Sequence, residues 1–333
     1  MIISRSPLRI SLFGGGTDYP EWFNKSESIV IGGTINKYSY IHVRYLPKIF
    51  NFNYRLRYFK TELTKNIKNI HHGPYREILK YFDCSKKNIE IIHTSDLPAL
   101  SGLGSSSSST VSAINAISTL QGKFLNKKNL ANLAIKIERN ILKESVGCQD
   151  QIFSAFGGFN SIKFKMNEDY AVEDLLNNKK KIDKLNKSSI LIWSGQQRLG
   201  QKLEKKKINK IKKKLLDKNL RNIQKISEKA YEEFIKPDWN LEKIGELMSN
   251  YWLEKKRLSK NVSTKKIDKI CKIAIESGAY GVKLLGAGGG GFIYILCAPS
   301  KKKLIIKNLS NYKNVDFQFE NSGSCIIYNK FLV

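Results

Sequence analysis

None of the five cysteines (Cys84, Cys148, Cys271, Cys297, Cys325) falls in a CxxC pair. That scatter excludes a zinc ribbon, and the odd number argues against a disulfide framework, so free thiols in the cytoplasm are expected. The four histidines, His42, His71, His72 and His93, lack metal-ligand spacing. No apolar run approaches the ~18 residues of a membrane span, so none is expected. The opening Met1-Ile-Ile-Ser-Arg-Ser-Pro7 has neither a long apolar stretch nor a cleavage site, and no export signal is expected. Acidic residues are scarce. There are 29 against 58 lysines and arginines, a formal net charge of +29.

That charge suits nucleic acid, an anionic surface or an anionic small molecule. Lysine, asparagine and isoleucine are abundant along the whole chain, which dilutes the argument for nucleic acid. The densest run is Lys202–Lys214, where Ile208 and Ile211 begin a helical apolar spacing that continues through Leu215, Leu220, Ile223 and Ile226. It reads as an amphipathic helix with a solvated lysine face. No nucleic-acid motif accompanies it, so a small anionic substrate is favoured.

Other absences narrow the chemistry. GxxxxGK[ST] is missing, which excludes a P-loop kinase, and so are GxSxG and HExxH. The glycines of 286–291 precede the strand-like Phe292-Ile-Tyr-Ile-Leu296 rather than a helix, which argues against a dinucleotide fold.

What is present is glycine in three clusters: 14–16, 102–104 and 286–291. In the middle one, Leu97-Pro-Ala-Leu-Ser-Gly-Leu-Gly-Ser-Ser-Ser-Ser-Ser109 runs straight into the apolar Thr110–Ile117. Glycines let a backbone approach a ligand, and a helix start presents unpaired amides to an anion. Serine hydroxyls can cap that helix, bind a phosphate oxygen or reach a metal ion. A plain Ser/Gly linker is the alternative, but linkers are not interrupted by a residue like Leu103 and followed at once by an apolar helix.

Strands are predicted at Ile2–Ile10, Ser28–Ile35, Tyr38–Tyr45, within Ile49–Lys60, Asn88–Ser95, Ser189–Trp193, Gly281–Leu285 and Phe292–Cys297, with the Ser28–Ile35 and Tyr38–Tyr45 pair meeting near Asn36-Lys37. Helices are predicted at Pro20–Phe23, Tyr75–Phe82, Lys127–Glu144, about 203–234, about 240–259, about 264–277 and Lys301–Leu309. The polar stretch Lys163–Lys187 marks a candidate boundary between domains 1–165 and 166–333.

Pro7-Leu-Arg-Ile-Ser-Leu-Phe-Gly-Gly-Gly-Thr-Asp-Tyr19, Leu97–Ser109 and Lys283-Leu-Leu-Gly-Ala-Gly-Gly-Gly-Gly291 together resemble the three motifs of the GHMP small-molecule kinases. The resemblance spans residues 2 to about 297. Phe13–Trp22, Thr34-Ile-Asn-Lys-Tyr-Ser-Tyr40, Gly102–Ser108 and Ile137–Gln151 are most similar to the D-glycero-D-manno-heptose 7-phosphate kinase branch. The resemblance implies an α+β, two-domain fold: an N-terminal domain like ribosomal protein S5 domain 2 and a ferredoxin-like C-terminal domain. It implies ATP and Mg²⁺, with a homodimer left open.

The same resemblance assigns residues. Ser101, Gly102, Leu103, Gly104, Ser105, Ser106, Ser107 and Ser108 would cradle ATP. Ser106 and Glu138 would hold Mg²⁺, a hard cation suited to carboxylate and hydroxyl ligands; position alone favours reading Glu138 as a solvated helical residue paired with Lys136 or Arg139, and the motif match reverses that. Asp150 would orient or deprotonate the sugar hydroxyl, and Arg9 would stabilise the charge there. Asp18, with Gly15, Gly16 and Thr17, would contact sugar, and Gly288 and Gly289 would leave it room. Lys37 and Arg198 are first choices for the substrate phosphate, with Arg44, Arg55 and Arg57 behind them. The expected reaction phosphorylates O1 of D-glycero-D-manno-heptose 7-phosphate for nucleotide-activated heptose and surface polysaccharide. Gly14-Gly15-Gly16 stands where galactokinases carry Gly-Glu-His, which moves the reading away from galactose. A kinase for fucose or an unphosphorylated hexose is the alternative. A basic nucleic-acid binder on a degenerate scaffold is a further one, opposed by the intact Arg9, Glu138 and Asp150.

Overall fold

The structure is a computed structural model that describes every residue except 177, 198–200, 260 and 331–333, with the backbone alone described at 201–203. Its strands are β1 (Ile2–Phe13), β2 (Ser28–Tyr45), β3 (Tyr54–Arg57), β4 (Thr61–Thr64), β5 (Ile89–Ser95), β6 (Phe159–Phe164), β7 (Tyr170–Asp174), β8 (Ser189–Trp193), β9 (Ala279–Leu284), β10 (Phe292–Cys297), β11 (Lys313–Asn314) and β12 (Cys325–Asn329). They form two sheets. The larger runs β12-β1-β2-β5-β3-β4, with β6 also on β2 and β7 on β6. The smaller runs β11-β8-β10-β9, all antiparallel. In chain order that is 4-1-3-2 with helices between, which is the ferredoxin-like arrangement expected.

The last strand returns to the first sheet, where Ile2 faces Asn329 and Arg5 faces Cys325. Sheet membership therefore does not follow chain order: β7 and β12 join a sheet otherwise built from the first 164 residues.

Two predicted strands, Ser28–Ile35 and Tyr38–Tyr45, are one 18-residue strand. Along β1, Leu8 faces Ile35 and Pro7 faces Tyr38, so Asn36 and Lys37 bulge out where the turn was expected. Pro7 has no N–H to give the ladder, which explains a break in register at that point without a break in the strand. The predicted helix 203–234 is likewise two, Gln201–Lys212 and Asp217–Phe234. Lys214 stands at φ +58°, its N–H bonds Ile211 O (2.9 Å), and the Leu215 N–H bonds Lys210 O (3.0 Å). That pattern is a Schellman stop with lysine in place of glycine. The Lys127–Glu144 helix is α-helical to Ile135 and then widens into a π-turn over Lys136–Ile141.

Three apolar cores follow. One packs helices Gly73–Tyr81, Ser105–Leu120, Lys127–Ile135 and Gln149–Phe156 on the large sheet. Another lies under the small sheet with helix Lys265–Glu276. The third joins the halves: Leu8, Ile10, Leu12 and Phe13 of β1 meet Tyr251, Phe234, Leu285 and Phe292. Phe13 lies edge-on to the rings of Phe234 and Tyr251 at 6.4 and 6.1 Å. This shared core holds the three glycine clusters at one junction.

Candidate active site

Arg9 is the hub. It lies on β1, almost wholly buried, and its guanidinium grips Asp150 with two bonds, Nε to Oδ1 (2.8 Å) and Nη2 to Oδ2 (2.7 Å). Its third nitrogen bonds Gly102 O (2.7 Å), and its backbone N–H bonds Leu103 O (2.9 Å). A planar guanidinium can hold a carboxylate with two bonds at once, which lysine cannot. One residue thus fixes both Asp150 and the serine-glycine loop. Asp150 lies in the first turn of helix Gln149–Phe156 and keeps 26% of its side chain exposed, enough to meet a ligand.

The loop is set by its glycines. Gly104 caps helix Ser105–Leu120 with left-handed backbone (φ +71°), and a Cβ there would sit 3.1 Å from Arg9 and 3.3 Å from Asp150. A Cβ on Gly286 would come within 2.4 Å of Gly102 Cα, and one on Gly291 within 2.4 Å of Ser101 O. The 286–291 cluster therefore buttresses the serine-glycine loop. A Cβ on Gly288 would come within 2.8 Å of Val262 Cα, and the Gly289 N–H bonds Val262 O (2.9 Å).

The serines divide. Ser105 is half-buried and Ser106 exposed at the helix start. Ser108 is buried with its hydroxyl given to Ser6 O (2.8 Å), and Leu103 is a core residue. Ser107 donates to Glu138 Oε2 (2.8 Å), which Gln151 also reaches (2.5 Å). Glu138 is buried, with Oε1 unpartnered. Burial pushes its carboxyl up to about 7. The π-turn aims it inward, and such turns recur at functional sites. The neighbouring Arg139 pairs with Glu21 (3.0 Å), so the surface-pair alternative for Glu138 does not hold. A buried carboxylate with one free oxygen beside hydroxyls fits a hard divalent cation.

Asp18 is buried, and its carboxylate faces protein. Oδ1 accepts from Gly16 N–H (2.9 Å) and Oδ2 from Gln149 Nε2 (3.0 Å). Thr17 closes the same turn on Gly14 O (2.8 Å). Tyr251 OH bonds Gly15 O (2.9 Å), while Gly16 faces Leu220 and Leu258. This turn braces the start of the Asp150 helix. Arg44 and Arg55 pair with Glu90 at 2.6 and 2.5 Å, and Arg57 stands 3.9 Å from it. All three are held on the large sheet. Lys37 is half-buried in the bulge, and Arg198 lies outside the described residues.

Sequence reasoning missed three lysines of the second half. Lys283 is buried, bonded to Ser11 O (2.8 Å) and Leu12 O (2.6 Å). Lys255 is buried and bonds Gly286 O (2.6 Å). Lys207, within the run read as a solvated face, turns inward to Glu204 (2.8 Å) and the Tyr19 ring (4.9 Å). The signal available was one of composition: Lys207 sits one residue before Ile208, on the edge of the apolar stripe.

Comparison with known proteins identifies the family of the chain. Residues 69–158 match the family model of the GHMP kinases N terminal domain, and 230–314 that of the GHMP kinases C terminal. The chain is 31% identical to D-glycero-alpha-D-manno-heptose 7-phosphate kinase of Campylobacter jejuni, across 97% of both chains. It is 30% identical to mevalonate kinase of Pyrococcus horikoshii, over 77% of this chain and 73% of that one. Its fold superposes on a D-glycero-D-manno-heptose 1-phosphate kinase from Bacteroides thetaiotaomicron with a TM-score of 0.80, at 23% identity, covering 99% of this chain and all of that one. By both domain matches and this full-length similarity, the chain belongs to the GHMP kinases.

Proposed function

We propose that this enzyme transfers the γ-phosphoryl group of ATP to O1 of D-glycero-D-manno-heptose 7-phosphate, giving the 1,7-bisphosphate and ADP. The observation that carries the reading is the Arg9 clamp, which joins a partly exposed carboxylate, Asp150, to the serine-glycine loop at Gly102. The substrate rests on the full-length similarity to a heptose 7-phosphate kinase.

Phosphoryl transfer asks for alignment and charge compensation more than for covalent chemistry. Ser101–Ser107 line the nucleotide phosphates, the amides at the start of helix Ser105–Leu120 facing them. Asp150 accepts the proton of the attacking hydroxyl and holds its oxygen in line. Arg9 fixes the Asp150 carboxylate with two hydrogen bonds and offsets the negative charge that develops beside it. Glu138 and Ser106 would hold Mg²⁺, with Ser107 and Gln151 bonded to Glu138 Oε2 and Oε1 left without a partner. Bound there, Mg²⁺ neutralises phosphate charge.

The product would feed nucleotide-activated heptose for surface polysaccharide, and the reaction belongs in the cytoplasm, in keeping with five free thiols. Among the described residues no helix is long and apolar enough to cross a membrane. ADP release measured with a sugar panel tests the substrate. Heptose 7-phosphate is expected to give the highest kcat/KM; a preference for fucose or an unphosphorylated hexose overturns the assignment.

A further inference from the structure

The most unusual electrostatic feature is a set of inward-facing cations around the Gly14–Gly16 turn. Lys255 and Lys283 are buried, and neither pairs with a carboxylate among the described residues. Each donates to carbonyl oxygens, Lys255 to Gly286 O and, at 3.5 Å, Leu284 O. Lys283 also lies 4.2 Å from the Tyr251 ring, whose hydroxyl bonds Gly15 O. Lys207 enters from helix Gln201–Lys212 and shares its charge with Glu204. Burial drives the Lys255 ammonium down to about 7; the charges of Lys207 and Arg9 add to that, and Glu204 and Asp18 oppose it. Lys283 is held well below its ordinary value, through burial first and then Lys255 and Arg9. Lys207 moves the other way: burial opposes its charge, but Glu204 and then Asp18 hold it cationic.

Buried ammonium groups without counter-charges are costly. Lys207 has Glu204 as its counter-charge, but Lys255 and Lys283 have no ion pair among the described residues, and fold stability alone does not call for two such groups at one turn, since apolar side chains of the same length would fill the space. A dianionic group placed among them removes the penalty. The turn is also where the acceptor must lie: Gly15 is beside Gln149, the residue before Asp150, with a Cβ on Gly15 falling 3.4 Å from Gln149 Nε2. Of the second-rank candidates for the phosphate, Arg44 and Arg55 are held by Glu90, and Arg57 stands 3.9 Å from it.

We propose that Lys207 and Lys255, with Lys283 behind them, form the subsite for the phosphate carried by the sugar substrate. The inference rests on the reading of the substrate as a sugar phosphate. Lys283, fully enclosed and fixed to two carbonyls, positions the end of β1; Lys207 and Lys255 meet the phosphate. A charged hydrogen bond to phosphate contributes roughly 1.5–3 kcal/mol, or about 10- to 100-fold in affinity.

The test compares wild type with Lys207→Met and Lys255→Met in steady-state kinetics, with heptose 7-phosphate and ATP varied separately. The expected result is a KM for heptose 7-phosphate raised about tenfold or more, a KM for ATP within about twofold, and recovery of much of the loss in Lys207→Arg and Lys255→Arg. Lys207 is only partly enclosed, so Lys207→Met stays informative should Lys255→Met fail to fold. A raised KM for ATP with an unchanged KM for the sugar phosphate would assign the lysines to the nucleotide and overturn the proposal. So would unchanged values for both substrates. A wild type that ignores heptose 7-phosphate but phosphorylates other sugars overturns the substrate reading instead, which separates the two failures.

Discussion

Asp150 and Arg9 act as a unit because neither is satisfied alone. Removing the Asp150 charge leaves Arg9 buried with only a carbonyl partner, yet Asn keeps the shape and one acceptor oxygen. Asp150→Asn is therefore expected to lower kcat by roughly 100- to 10,000-fold, with ATP affinity, read by equilibrium binding, changed little. Turnover near wild type would remove Asp150 from its role. At this scale the sequence was informative where a residue's partner lies in another motif of the same family, as for Arg9 and Asp150. It was uninformative where direction matters. Glu138 could have faced solvent beside Arg139, and only the π-turn aims it inward. Lys207 could have been one more solvated lysine; a neighbouring Glu204 and the Tyr19 ring turn it the other way. Ser108 stood in the predicted cradle, but Ser6 O takes its hydroxyl.

The decisive contact between elements is glycine on glycine. Gly286 (φ +72°) abuts Gly102 (φ +84°), and a Cβ on Gly286 would lie 2.4 Å from Gly102 Cα. Neither backbone can retreat without moving Leu285 or the Arg9 bond to Gly102 O. Gly286→Ala should raise the KM for ATP at least about tenfold and lower the melting temperature by several degrees, as a clash among backbone atoms cannot relax into a side-chain shift. Gly122→Ala makes the control: φ is also positive (+73°), but nothing lies within 4 Å of the new Cβ. It should cost only about 1 kcal/mol in stability and leave ATP binding alone; equal effects from the two changes would contradict the buttress. Elements were legible in sequence where a period or a cap marked them, as in helix Lys265–Glu276 with its Thr264 cap. They were not where a single residue overrides the pattern. Pro7 gave a bulge in place of a turn, and Lys214 ended a helix with no glycine to announce it.

Across the whole molecule, the fold ties its ends together. β12 closes the first sheet beside β1, and β1 carries Arg9 into the core shared by both halves. Such pairing between residues more than 300 positions apart has no local signature in a sequence, so a boundary drawn from composition could not include it. Stability of the large-sheet half has its own pH dependence. His72 stacks on Tyr75 at 3.7 Å, and His93 Nε2 bonds Ser39 Oγ (2.8 Å). Burial brings both imidazoles down to about 4 from an ordinary 6.5, and His93 adds to the shift of His72. Below about pH 6.5 the unfolded chain binds protons that the folded one refuses, so the contribution is complete above that pH and fades as pH falls toward 4. Thermal unfolding should show a melting temperature several degrees lower at pH 5 than at pH 7.5, with a smaller drop in His72→Gln/His93→Gln. An unchanged drop would place the acid sensitivity elsewhere.

The central claim is that these converging motifs move a phosphoryl group onto the anomeric hydroxyl of a sugar that already carries a phosphate. Phosphorus NMR of the reaction of enzyme, ATP, Mg²⁺ and heptose 7-phosphate tests it most directly. The account predicts ADP together with a new anomeric phosphate resonance on a product that keeps its 7-phosphate. ADP without that resonance, or phosphorylation at a different hydroxyl, would contradict it.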